Sequence, residues 1–286
     1  MILSSPSPVN RALLIVAALG ATLSACNRDE EKAAAPAAPG RPAVVTTADA
    51  AAPMAFESKT PYANVRLTLP EAVKGQTDLH AALYAEEVRK LRQFVEGSQA
   101  ARTEEGGDGG LPPFEKTITL TGAAETGKLL SLKRVDFDFS GQAHPNTLTS
   151  GILWDKALKR RIGLSDLLRK GADLTVLDQA LCSAINAAKR ARVPDSASLT
   201  LGGGKNGSCP RAASTEFVLT PGDQPGKAAG LTFLIGPYQV GPYVEGAYEI
   251  AIPAAGFRSL LAVAYADEFG GRLIKAGDVT PVVTPN

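Results

Sequence analysis

The stretch from Lys128 to Phe139 constrains the fold most, because its second half alternates apolar and charged residues: Val135, Phe137 and Phe139 against Arg134, Asp136 and Asp138. A period of two puts successive side chains on opposite faces of an extended backbone, which no helix can do. This is the strongest strand signal in the chain. It predicts the three apolar residues facing a core and the two carboxylates facing water. Weaker signals of the same kind begin at Tyr62, where Val65, Leu67 and Leu69 oppose Arg66 and Thr68, and recur over 116–121, with Ile118 and Leu120 inward. Further strands are predicted over 152–154, 216–219, 231–235 and 248–252.

Helical spacing appears in two longer places. Leu79, Leu83, Leu91, Phe94 and Val95 form one stripe behind Asp78, a plausible N-cap, with Glu86, Glu87, Arg89 and Lys90 outside it. Leu174, Leu177, Leu181 and Ile185 form the second, over 174–190. Short helices are expected over 164–169 and from about Ala254 to Val263. The run Gly106 to Gly110 followed by Pro112-Pro113 cannot continue a helix and reads as a loop. Strands and helices are mixed without regular βαβ alternation, so the fold class is α+β, with mainly antiparallel sheet and packed helices.

The first residues set the compartment. Arg11, an apolar run from Ala12 to Leu23, and Leu23-Ser24-Ala25-Cys26 have the layout of a lipoprotein signal. The apolar run is shorter than the ~20 residues of a membrane span. Residues 1–25 are therefore expected to be cleaved, and Cys26 to carry lipid. Each buried acyl methylene contributes roughly 0.8 kcal/mol, so two or more chains, palmitate among them, anchor a protein stably. Residues 26–56, with Ala33 to Gly40 at their heart, are too rich in Ala, Pro and charge to build a core and read as a tether. Asn27 stands where an aspartate would favour inner-membrane retention, so in a Gram-negative host the expected location is the periplasmic face of the outer membrane.

The 286 residues carry a formal net charge of +1. Removal of the leader takes away only Arg11 among the charged residues, and a neutral body has no basic footprint for nucleic acid. With Cys26 assigned to lipid, Cys182 and Cys209 remain as an even pair in an oxidising compartment and are expected to form a structural disulfide worth roughly 3 to 4 kcal/mol in the chain-entropy model. A redox pair is more often spaced Cys-x-x-Cys. The two histidines, His80 and His144, do not sit at metal-ligand spacing with these cysteines, and no metal or cofactor is expected. There is no Gly-x-Ser-x-Gly, Walker or His-Glu-x-x-His motif.

Phe139-Ser140-Gly141-Gln142-Ala143-His144-Pro145-Asn146-Thr147 resembles the Gly-x-Ala-His-Pro-Asn stretch of a family of cell-envelope domains shared by the RsiV anti-sigma factor and the PdaC peptidoglycan deacetylase. Leu164 to Leu168 resembles that family's Leu-x-Asp-Leu-Phe helix. The segment from Gly230 to Tyr243 resembles its Phe-x-Phe-x-Pro-Tyr-Glu-Val-x-Pro-Tyr signature, and Glu249 to Pro253 the strand that follows, with Ala254 in place of a tyrosine. The resemblance implies two abutting modules, a PdaC-like one over 57–141 and an RsiV-like one over 142–267, followed by a tail over 268–286. It implies a ligand-binding envelope domain without catalysis of its own, whose ligand is peptidoglycan or a lysozyme-like protein.

Four residues stand out as ligand-contacting candidates. Tyr238 and Tyr243 occupy a near-repeat, Gly-Pro-Tyr-Gln-Val and Gly-Pro-Tyr-Val-Glu, and stiff tyrosines bind sugar rings or protein grooves with little entropy loss. The competing expectation is that both rings simply close over the sheet. His144 and Asn146 flank Pro145 in a turn whose chemistry explains all three residues structurally. Lys156, Lys159, Arg160 and Arg161 form a basic cluster that suits anionic headgroups or wall polymers, or else a solvated face. Two alternatives accompany the binding module: an envelope hydrolase using His144 with Asp136 and Asp138, and a structural lipoprotein of outer-membrane assembly.

Overall fold

The computed structural model describes residues 52–281 apart from 105, 107–109 and 206. The leader, Cys26 and nearly all of the expected tether lie outside the described residues.

Alternating sequence forms a six-stranded sheet of β1 (Ala55–Lys59), β2 (Ala63–Thr68), β3 (Phe114–Glu125), β4 (Leu129–Phe139), β5 (Asn146–Asp155) and β6 (Arg160–Ile162), in that spatial order. Every pairing is antiparallel except β2 with β3. Parallel neighbours need a crossover, which α1 (Thr77–Glu104) supplies, so the sheet contains one βαβ unit that the irregular element order had hidden. Asp78 lies inside the first turn rather than at the cap, where its charge still suits the helix dipole. Leu79, Leu83, Val88 and Leu91 of α1 pack with Val65, Leu67, Ile118, Leu120, Leu130, Leu132 and Trp154 in a core on one face of this sheet.

The second sheet has four strands in the order β10 (Gly277–Asp278), β9 (Tyr248–Pro253), β8 (Ala228–Ile235), β7 (Glu216–Pro221), all antiparallel. Each residue of β8 is buried, as befits a strand covered on both sides. Its core joins α3 (Thr175–Arg192), the short helices α2 (Leu164–Leu167) and α4 (Val263–Ala266), and Leu129 and Leu153 from the other face of the first sheet. The two sheets meet closely along β7. Ser131 accepts the Leu219 N–H in a buried bond, and Gly151 lies so near that a Cβ there would sit 1.7 Å from the Phe217 carbonyl oxygen. Cys182 on α3 is bonded to Cys209, with Cα atoms 5.4 Å apart, as the cysteine pairing predicted.

Several boundaries differ from the sequence reading. The first strand starts at Ala55, inside the expected tether. The division at 141/142 falls within the β4–β5 hairpin, which pairs from Leu129 with Asp155 to Asp138 with Asn146, so the change of sheet comes after Ile162. Residues 268–281 are integral: Glu268 and Phe269 are buried and β10 extends the second sheet. Where a helix was expected over 254–263 there are two single 3₁₀ turns, Ala254–Gly256 and Arg258–Leu260, before α4. Gly256 and the closing of the chain back onto Leu167 and Arg169 interrupt helical bonding there.

The faces of β4 are the largest revision. Asp136 is 9% exposed and lies under α1, whereas Phe139 is 37% exposed. The even-numbered side chains share the α1 face with Leu130 and Leu132, while Val135, Phe137 and Phe139 take the opposite face.

Candidate functional site

The ends of two hairpins meet at the candidate site. One is the turn between β4 and β5, carrying His144 and Pro145; the other is the 236–247 loop between β8 and β9, carrying Tyr238 and Tyr243. The Tyr243 hydroxyl donates to the Pro145 carbonyl at 3.1 Å, which joins the loops. The His144 imidazole stacks on the Tyr243 ring with centroids 3.8 Å apart and planes 17° from parallel. Its Nε2 lies 3.1 Å from the Tyr238 hydroxyl and its Nδ1 3.2 Å from the Pro145 carbonyl oxygen. The carbonyl accepts from an Nδ1–H, and the phenol hydroxyl can donate to Nε2 or accept from it. The tyrosine rings are 5.5 Å apart.

Tyr238 is 65% exposed and has φ of 68°. A non-glycine residue in this left-handed region costs about 1 kcal/mol or more, and such strain clusters at functional sites. Tyr238 therefore stands open to solvent, with Tyr243 and His144 half-buried beside it, and the three rings form a ridge; next to them Val244 is 89% exposed. Asn146 begins β5 opposite Asp138, is exposed, and stands beside this turn as a strand residue.

Beneath the ridge lies a network that the sequence reading missed. Lys189 of α3 donates to the Val240 carbonyl at 2.6 Å and to Glu245 Oε2 at 2.7 Å, and the Tyr248 hydroxyl donates to the same carboxylate oxygen at 2.6 Å. Arg192 covers the Tyr248 ring at 3.6 Å and donates to the Glu245 and Ala247 carbonyls and to Asp278. Burial pushes the Glu245 carboxyl up, but the bonds from Lys189 and Tyr248 and the nearby positive charge outweigh it and hold it below the usual range. The Tyr248 phenol is pushed well up, by burial first and then by the Glu245 carboxylate. The visible signal was Lys189 four residues after Ile185, a charge in register with the apolar positions of α3.

Asp136 and Asp138 are not brought to His144. Asp136 bonds Arg134 at 2.9 Å and has Lys116 Nζ 2.6 Å from its other oxygen; Lys116 also lies 3.6 Å from Asp138. Glu87 of α1 closes this network by a two-pronged bond to Arg134, both distances 2.9 Å. The expected solvent-facing acids are thus ion-paired between helix and sheet. The basic cluster is likewise paired: Lys156 with Glu125, Lys159 with Asp78, Arg160 with Asp166 and Arg161 with Glu86. A cleft of about 310 Å³ beside Glu216 and Leu164 and a groove of about 560 Å³ beside Pro113 and Phe139 are not lined by Tyr238, Tyr243 or His144. Among the described residues, no group of His, Cys, Asp or Glu could hold a metal ion, and no helix is long and apolar enough to cross a membrane.

No family model and no curated protein matches this chain. Among solved structures it is similar to a DUF3298 family member from Bacteroides fragilis, with TM-score 0.53 and 16% identity over 75% of this chain and 95% of that one. A DUF3298 family protein from Pseudomonas aeruginosa is similar at TM-score 0.48 and 15% identity, over 78% of this chain and 100% of that one. DUF3298 proteins belong to the PdaC/RsiV-like domain family. At such identity the likeness to the first shows a shared α+β fold.

Proposed function

We propose that this chain is a non-catalytic ligand-binding module of the cell envelope, anchored through an acylated Cys26 at the periplasmic face of the outer membrane. Its ligand, a peptidoglycan fragment or a lysozyme-like protein, meets the ridge of Tyr238, Tyr243 and His144. The observation that carries this reading is the convergence of three rings from distant parts of the chain around an exposed tyrosine of positive φ. Aromatic faces on a preorganised loop give contact area at low entropic cost. The lipobox and the neutral charge balance support the compartment and a partner other than nucleic acid.

The test is capture of the purified full chain on sacculi and on immobilised lysozyme. A Tyr238→Ala, Tyr243→Ala variant is expected to lose at least tenfold in affinity for whichever ligand the parent binds, with unchanged folding by circular dichroism. Absence of binding to both by the parent, or unchanged binding by the variant, refutes the reading.

A further inference from the structure

We infer that the buried Lys189–Glu245 pair fixes the conformation of the 236–246 loop, and so the presentation of Tyr238 and Tyr243, while contributing little to the stability of the body. The consequence for ligand binding rests on the reading above; the conformational claim does not.

Lys189 and Glu245 have side chains 6% and 7% exposed. Val240, whose carbonyl accepts from Lys189, ends the first Gly-Pro-Tyr unit, and Glu245 ends the second. One ammonium on a rigid helix therefore sets the spacing between the two tyrosine-bearing halves. Gly241 lies between them, where a Cβ would stand 2.4 Å from Glu245 Oε2, so the loop backbone is moulded onto the carboxylate. The far end of a glutamate normally yields to such contact, but here Lys189 and Tyr248 hold it from two sides.

Dehydrating two charges costs about as much as their attraction returns, so a well-filled apolar replacement of a buried pair is often neutral in stability. Direction is not replaceable in this way. An ammonium that donates at once to a carbonyl and a carboxylate defines one arrangement of the loop, whereas methyl groups fill the same space in several.

The experiment compares the full chain with a Lys189→Met, Glu245→Leu double variant and, separately, with Gly241→Ala. The readout is the His144 ring proton resonances, which stacking on Tyr243 shifts upfield. The double variant, which also leaves the Tyr248 hydroxyl and the Val240 carbonyl without these partners, is expected to unfold cooperatively with a midpoint within about 10 °C of the parent, and to lose that upfield shift. Gly241→Ala keeps both charges but displaces the carboxylate, and is expected to lose the shift as well. An unchanged His144 shift in either variant, or failure of the double variant to fold, overturns the proposal. Loss of the shift with undiminished capture on sacculi or lysozyme sustains the clamp and removes the ridge as the ligand surface.

Discussion

Among the buried charges carried by the two long helices, Glu87 and Lys189 each lie in an ion pair with a distant segment, and these two meet very different partners. On α1 the charge is Glu87, 1% exposed, which grips Arg134 in the middle of β4, a strand paired on both sides. On α3 it is Lys189, whose acceptors lie on a loop with no ladder of its own. The chemistry is alike, but the backbone behind it is not. A paired strand cannot follow a lost partner, so the α1 network bears on the whole body; a loop can follow, so the α3 network bears on local shape. Similar buried pairs can thus serve cohesion in one place and geometry in another.

The most severe way to break this comparison is Glu87→Ala. It leaves the Arg134 guanidinium buried with Asp136 as its remaining carboxylate partner and is expected to cost about 3–5 kcal/mol, measured by urea denaturation. A loss below about 1 kcal/mol would show that β4 accommodates the change after all. Lys189→Ala is expected to cost less, about 1–3 kcal/mol, because Glu245 keeps the Tyr248 hydroxyl and the field of Arg192. Equal losses for the two variants would remove the asymmetry. Both are truncations that orphan a charge, unlike the paired replacement described above.

Acid sharpens the contrast with the smallest effect. The Glu245 carboxyl is held below its ordinary 4.5, so its stabilising contribution is fully present above that value and is lost as pH falls through the depressed folded one. The parent should therefore weaken on acidification below about pH 4.5, and Glu245→Gln should show a shallower acid limb in urea midpoints collected across that range. An identical limb in parent and variant would mean that other carboxylates dominate.

Much of the architecture was legible because period and burial agree where cores form. Val65, Leu67, Ile118 and Leu120 point where alternation put them, and Leu177, Leu181 and Ile185 lie on the buried stripe of α3. β4 failed instructively. Alternation shows that the faces of a strand differ, not which face has a neighbour, and here α1 buries charges because Glu87, Arg134, Asp136 and Lys116 pair as ions. The parallel pairing of β2 with β3 was hidden because each strand's own pattern says nothing about its partner's direction. At the site, the tyrosines and His144 were named from turn chemistry and near-repetition. Their meeting, and the Lys189–Glu245 clamp beneath them, depend on contacts between segments far apart in the chain.

The lone parallel pairing also bears on the order of assembly. β3, β4 and β5 follow one another and can zip together as neighbours, but β2 reaches its place beside β3 only across the 28 residues of α1. Distant pairings are slow because loop closure must precede any return from the contacts. The nascent hairpin bearing His144 is therefore expected to form early, with the β1–β2 edge closing late and leaving the apolar side of β3 briefly bare, a window in which a holding chaperone would find its grip.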